Sequence, residues 1–207
     1  MIKIKKPRKN LLIFYIKILL GVLVLCAVSL GLYFLTITTF TQNFHAVVPH
    51  EIYRSAQPNG TFIEYLKKEY GIKSILNLRG KLPESWHKEE EKAANDLGIQ
   101  LINFPLSATR ELNDEQIKQL ISILKTAPKP LLIHCKSGAD RTGLASAVYL
   151  YIVAHYPKEE AHRQLSMLYG HFPVLKTITM DITFEKITQL YPNNVSKGDT
   201  EQPMNAT

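Results

Sequence analysis

Residues 11–37 form one long apolar run, broken only by Lys17 and a few hydroxyls. Beyond residue 50 the apolar positions fall into two shorter periods. A period near 3.6 predicts amphipathic helices over 61–70, with Phe62, Tyr65 and Leu66 inward, and over 84–97, 113–124, 158–168 and 177–190. Short apolar runs of strand type cover 72–78, 99–104 and 130–134. An apolar helix over 144–153 follows the last of these at once, and Gly170 and Pro173 part the final two helices. Strands alternating with helices predict an α/β domain. The expected organisation is a basic tail over 1–10, a transmembrane anchor over 11–37, a linker over 38–50, a folded domain over 51–192 and a flexible polar tail over 193–207.

Charge orients the apolar run. Lys3, Lys5, Lys6, Arg8 and Lys9 precede it, whereas 38–53 holds no Lys or Arg. The positive-inside rule then puts the N-terminus in the cytoplasm and the domain on the other face of the cell (inner) membrane, in the periplasm of a two-membrane cell. A cleaved signal peptide is the competing assignment. The run exceeds the roughly 7–15 apolar residues of such peptides, and no clear small-x-small site follows, which favours an uncleaved single-pass anchor. Lys17 is placed to snorkel to the headgroups. Six of the 25 basic residues lie in the first 17 positions, and no acidic residue precedes Glu51. The net charge of +7 therefore reports membrane orientation and gives no argument for nucleic acid as a partner.

About 140 residues remain for the domain, enough for one core. Of the two cysteines, Cys26 falls in the apolar run and Cys135 is the only thiol of the soluble part, so no disulfide is expected within the domain. The sequence shows no internal repeat and no metal-ligand cluster.

Candidate chemistry is concentrated in His134-Cys135-Lys136-Ser137-Gly138-Ala139-Asp140-Arg141-Thr142-Gly143, at the junction of an apolar strand and an apolar helix. A tight loop feeding a helix N-terminus turns successive N–H groups inward, so the amides of Lys136, Ser137, Gly138, Ala139, Asp140 and Arg141 can ring a phosphate. Gly138 allows the close turn. Arg141 can grip two phosphate oxygens as a planar fork, and with the helix dipole it favours a thiolate at Cys135, which can attack phosphorus. The Thr142 hydroxyl is placed to hydrogen-bond the sulfur. This constellation arises by chance on the order of once in a million, which sets aside Cys135 as an inert core residue.

The run resembles the phosphate loop of the dual-specificity branch of the protein tyrosine phosphatase superfamily, in particular its small bacterial members. Ile52-Tyr53-Arg54-Ser55-Ala56-Gln57-Pro58 and Gly71-Ile72-Lys73-Ser74-Ile75-Leu76-Asn77-Leu78-Arg79 extend the resemblance. It implies a mixed central sheet flanked by helices, a phosphocysteine intermediate, and no metal or organic cofactor. It also implies a general-acid Asp upstream of the cysteine, but Thr109 stands where the related bacterial enzymes place it. Asp140, placed like the acid proposed in myotubularin-type lipid phosphatases, is the first candidate to replace it; Glu111 and Asp114 are the others, although Asp114 also reads as part of a capped helix start.

For substrate, Lys136 resembles the loops of phosphoinositide, inositol-phosphate and phosphatidylglycerophosphate phosphatases, while Asp140 cancels part of that charge and suits a single phosphate. Arg79 reads as a partner for a nearby carboxylate, and His171 as a partly buried structural histidine. The expected activity is a membrane-anchored phosphomonoesterase acting on phosphotyrosine or phosphoserine proteins or on a phospholipid. The alternative is a non-catalytic module that captures phosphorylated ligands.

Overall fold

The computed structural model describes residues 9–39, 41–174 and 176–192, so residues 1–8 of the expected basic tail and the expected flexible tail over 193–207 lie outside the described residues. It divides into two units, Met1–Phe40 and Thr41–Thr207. The described residues of the first form one helix, α1 (Lys9–Thr39). Its stretch Leu11–Tyr33, 23 residues, is long and apolar enough to cross a membrane, a test that a signal sequence also meets.

The second unit is a five-stranded sheet in the order β1-β2-β5-β3-β4, formed by β1 (His45–Val48), β2 (Ile52–Ser55), β3 (Ser74–Asn77), β4 (Gln100–Asn103) and β5 (Leu131–His134). β1 runs antiparallel to β2, and every other pairing is parallel. The sheet is therefore mixed, with helices on both faces. Alternation along each strand divides the core. Ile52, Leu76, Leu131 and Ile133 pack with Ile117, Leu120 and Leu124 of α4 (Asp114–Thr126), with Leu144 and Val148 of α5 (Asp140–Val148), and with Met180, Phe184 and Ile187 of α7 (Thr179–Leu190). Tyr53, Ile75 and Leu132 face the other way, toward Ile63 and Leu66 of α2 (Gly60–Tyr70) and Ala94 of α3 (Ser85–Asp96). β5 is buried along its whole length, as a central parallel strand covered on both faces must be.

Side-chain caps set two of the helix starts. Asn59 accepts a hydrogen bond from the Phe62 amide, and Asn113 closes a reciprocal capping box with Gln116. Three features depart from the sequence pattern. The stretch over 38–50, expected as a linker, contains β1, and Phe44 stacks on Tyr53 and meets Phe62 and Tyr70 edge-on, so the folded unit begins near Thr41. Tyr65 is exposed in place of Ile63, because α2 buries an i, i+3 pair and leaves its outer rings to the aromatic cluster. The helix expected over 158–168 stops early as α6 (Lys158–His162), and only a short turn, Met167–Tyr169, follows. Its continuation is pulled out of helical geometry where the Gln164 carbonyl and side chain both bond to Arg54.

Phe184 is fully buried and meets Tyr151 edge-on at 5.9 Å. Phe184→Ala is expected to lower stability by about 3–5 kcal/mol, measured by urea unfolding of the detergent-solubilised chain.

Candidate active site

Strand register brings Ser55, His134 and Asn77 side by side at the carboxyl edge of β2, β5 and β3. That edge is where parallel sheets place their ligands. Cys135 leaves β5 there, buried, and the chain turns through Lys136 to Ala139 before α5 begins at Asp140.

Among the described residues, no backbone N–H from Lys136 to Thr142 donates to a group of the protein. Seven successive amides at a helix start are thus available to an acceptor from outside. The carbonyls of the same loop are engaged. Cys135 O accepts from His134 Nδ1 (3.3 Å), Lys136 O from the Gln57 amide (3.2 Å), Ser137 O from Asn43 Nδ2 (2.9 Å), and Gly138 O from Arg54 Nη2 (2.7 Å). Gly138 turns with φ +72°, and a Cβ on it would lie 2.7 Å from the Ser55 carbonyl and the Ala56 amide, so the loop lies directly on β2. Gly143 is required for packing: a Cβ there would sit 2.7 Å from Gln164 O.

Arg141 is fixed by its Nη1, which donates to Leu78 O and Leu106 O, both at 3.3 Å. Its Nε has no partner, leaving the opposite edge of the fork for an anion. Lys136 is exposed, Ser137 half-buried and Ala139 buried. The Thr142 hydroxyl is buried without a hydrogen-bond partner, so the expected bond to the Cys135 sulfur is not formed in this structure. Arg79 bonds Gln57 Oε1 at 2.9 Å, stacks on Trp86 at 3.4 Å and lies 3.6 Å from Glu84, the carboxylate pairing expected of it.

Two polar networks flank the loop, and the sequence pattern gave little sign of either. His134 Nε2 lies 2.6 Å from Glu90 Oε1, with both side chains fully buried, and Asn77 Nδ2 reaches Glu90 Oε2 at 3.1 Å. The i, i+3, i+7 spacing of His87, Glu90 and Ala94, the buried stripe of α3, was the one available signal. On the other side, buried His171 bridges Asp140 Oδ1 (2.7 Å) and Asp181 Oδ2 (2.9 Å), and His162 Nε2 meets Asp181 Oδ1 at 3.1 Å. With a carboxylate at each ring nitrogen, His171 donates from both. Burial alone would push its imidazole down, but the hydrogen bonds to Asp140 and Asp181 outweigh it and raise it above its ordinary 6.5.

The three acid candidates differ in their surroundings. Asp140 is tied through Oδ1 to His171 Nδ1 at 2.7 Å. Asp114 is exposed and bonded to Lys186 at 2.7 Å, which holds its carboxyl below the usual range. Glu111 is exposed and unpaired among the described residues. It lines a cleft of about 520 Å³ with Pro105, Leu106, Ser107 and Arg110, and the Leu106 carbonyl is a ligand of Arg141.

The native His171 value lies above the unfolded one, so its contribution is full below about pH 6.5 and is lost as pH rises through the native value. The difference in unfolding free energy between the native chain and His171→Gln is expected to narrow from pH 6 to pH 9, read by urea titration.

This fold is shared with the crystal structure of TpbA from Pseudomonas aeruginosa at TM-score 0.54 and 21% identity, over 70% of this chain and 85% of that one. In sequence, the chain is 34% identical over 103 residues to the inositol diphosphatase DSP4 of Arabidopsis thaliana, covering 47% of this chain and 50% of that protein. It is 28% identical over 117 residues to TpbA, a dual specificity protein phosphatase, covering 55% of this chain and 49% of that protein. The chain thus spans about half the length of these curated relatives. The model of the family described as "DSP-PTPase phosphatase fused to NAD+ Kinase" matches residues 38–179, a stretch that holds the whole sheet and the loop from Cys135 to Arg141, and the chain belongs to that family.

Proposed function

We propose that the chain is a membrane-anchored, cysteine-dependent phosphomonoesterase. The observation that carries this reading is the run of seven amides, free of protein acceptors, in a loop that also holds Cys135 and the unpartnered Nε of Arg141. In the first step the Cys135 thiolate attacks phosphorus in line, the P–O bond to the leaving group breaks, and the leaving oxygen takes a proton. Water then cleaves the phosphocysteine, returning the thiolate and releasing inorganic phosphate. The loop amides and Arg141 stabilise the charge on the equatorial oxygens in both steps. Glu111 supplies the first proton, since the Asp140 and Asp114 carboxyls are engaged by His171 and Lys186.

The substrate proposed first is a phosphotyrosine or phosphoserine protein, as the name of the TpbA relative supports. A phospholipid within reach of the anchor is its rival. A second reading, an inositol diphosphate, is favoured by the likeness to DSP4 and by exposed Lys136 beside the nucleophile. The basic residues ahead of the apolar run support an extracytoplasmic position for the domain over 41–192.

Cys135→Ser is expected to reduce phosphate release to the uncatalysed blank on a phosphotyrosine peptide, phosphatidylglycerophosphate and an inositol diphosphate, assayed in parallel. Preference for the peptide supports the first substrate; phosphate binding without turnover by the native chain would establish the binding module. Glu111→Gln is expected to lower kcat about a hundredfold on an alkyl phosphate and to spare p-nitrophenyl phosphate, whose leaving group needs no proton. A larger selective loss in Asp140→Asn would return the acid role to that residue. External protease added to spheroplasts is expected to digest the domain, and protection would reverse the orientation.

A further inference from the structure

Arg54 is the largest fully buried side chain of the protein, and it has no carboxylate partner among the described residues. Its Nη1 donates to Gln164 O (2.9 Å) and Oε1 (2.7 Å), and its Nη2 to Gly138 O (2.7 Å) and, more weakly, Ala139 O (3.4 Å). Tyr169 lies flat against the guanidinium at 3.9 Å, and Nε has no partner. Burial lowers the group to about 10, leaving it charged at neutral pH. A buried charge balanced only by neutral acceptors is costly in the folded protein. The groups facing it are Gln164 and Tyr169, exposed His45 on β1, and Cys135. Of these, Cys135 is the one that becomes an anion in the reaction; the carboxylate of Asp140 at the end of the loop is already paired with His171, so the remaining negative charge that can balance Arg54 arrives with the ligand.

We infer that Arg54 is a positioning residue of the phosphate loop, a second cation behind it whose counter-charges are the Cys135 thiolate and the bound phosphate. Arg141 grips the anion from the front. Arg54 grips the loop through two carbonyls from the rear, and its uncompensated charge favours both the thiolate and the dianion. Gln164 is part of the device: as a neutral acceptor it fixes the fork without neutralising it, where a glutamate in the same place would do both. Phosphate binding as such rests on the reading given under Proposed function, whereas the effect on the sulfur does not.

Gln164→Glu tests the charge while keeping a hydrogen-bond acceptor for Arg54. In the detergent-solubilised full chain, iodoacetamide alkylation of Cys135 at pH 6.5, followed by peptide mass to separate it from Cys26, is expected to slow roughly tenfold. The affinity for inorganic phosphate, read by calorimetry, is expected to fall by a similar factor. A purely structural Arg54 would leave both unchanged in a variant that still melts cooperatively, and that result overturns the inference. Arg54→Lys and Arg54→Met form an independent pair. The lysine variant is expected to retain fast alkylation and the methionine variant to lose it; equal rates in the two also overturn it. A native chain that binds no phosphate, yet shows the expected alkylation differences, would remove the phosphatase reading and leave the role of Arg54 toward the sulfur standing.

Discussion

A loop that keeps its amides for a ligand cannot hold itself in place with them. The segment from Cys135 to Ala139 is fastened through its carbonyls, by His134, Gln57, Asn43 and Arg54, while the N–H groups from Lys136 to Thr142 make no bond to the protein. The rest of the domain is arranged to supply those donors. β2 carries Arg54 and leads directly to Gln57, the stretch ahead of β1 carries Asn43, and Asn43 also bonds Tyr169 O, tying the turn that stacks on Arg54 to the same loop.

Rigidity has a cost in such a design, because each fastening buries polar groups. The price is met by networks in which nearly every member has a partner: His134 with Glu90, Asn77 and Asn103 under β3 and β4, and His171 between Asp140 and Asp181 beside α5. Buried polar groups satisfied in this way fix one arrangement, since any displacement leaves charges or donors stranded in a medium of low dielectric. Arg54 Nε, Arg141 Nε and the Thr142 hydroxyl, on or behind the loop, are among the buried polar atoms left without a hydrogen bond. Unsatisfied groups at a ligand loop mark a place where the fold gives up stability for binding.

The pocket combines a shared frame with local departures. Solved relatives below 25% identity keep the sheet and its flanking helices. Thr109 stands on the upstream loop without a carboxyl, and Asp140 is tied back by an imidazolium. A carboxylate beside the anion site would repel a dianion. His171 compensates that charge locally, so Asp140 need not weaken the field set by Arg141 and the loop amides.

Much of this was readable in the chain. The spacing of His134, Cys135, Gly138, Arg141 and Gly143 specifies a strand-loop-helix anion site, because a close turn, a planar cation and a helix start are local demands that local residues meet. The alternation of strand and helix periods was likewise enough for an α/β domain. What the sequence could not show is which distant groups meet behind the loop. Arg54 and Gln164 are 110 positions apart, Asn43 and Ser137 94 apart, and Asp140 and His171 31 apart. Only the parallel pairing of β2 with β5 puts Arg54 under Gly138, and only the packing of Gly143 against the Gln164 carbonyl fixes the acceptor that breaks the helix expected over 158–168. Local periodicity reports the solvent each residue prefers; it carries no information about which buried partner a polar side chain will find, and that was decided by the register of the sheet.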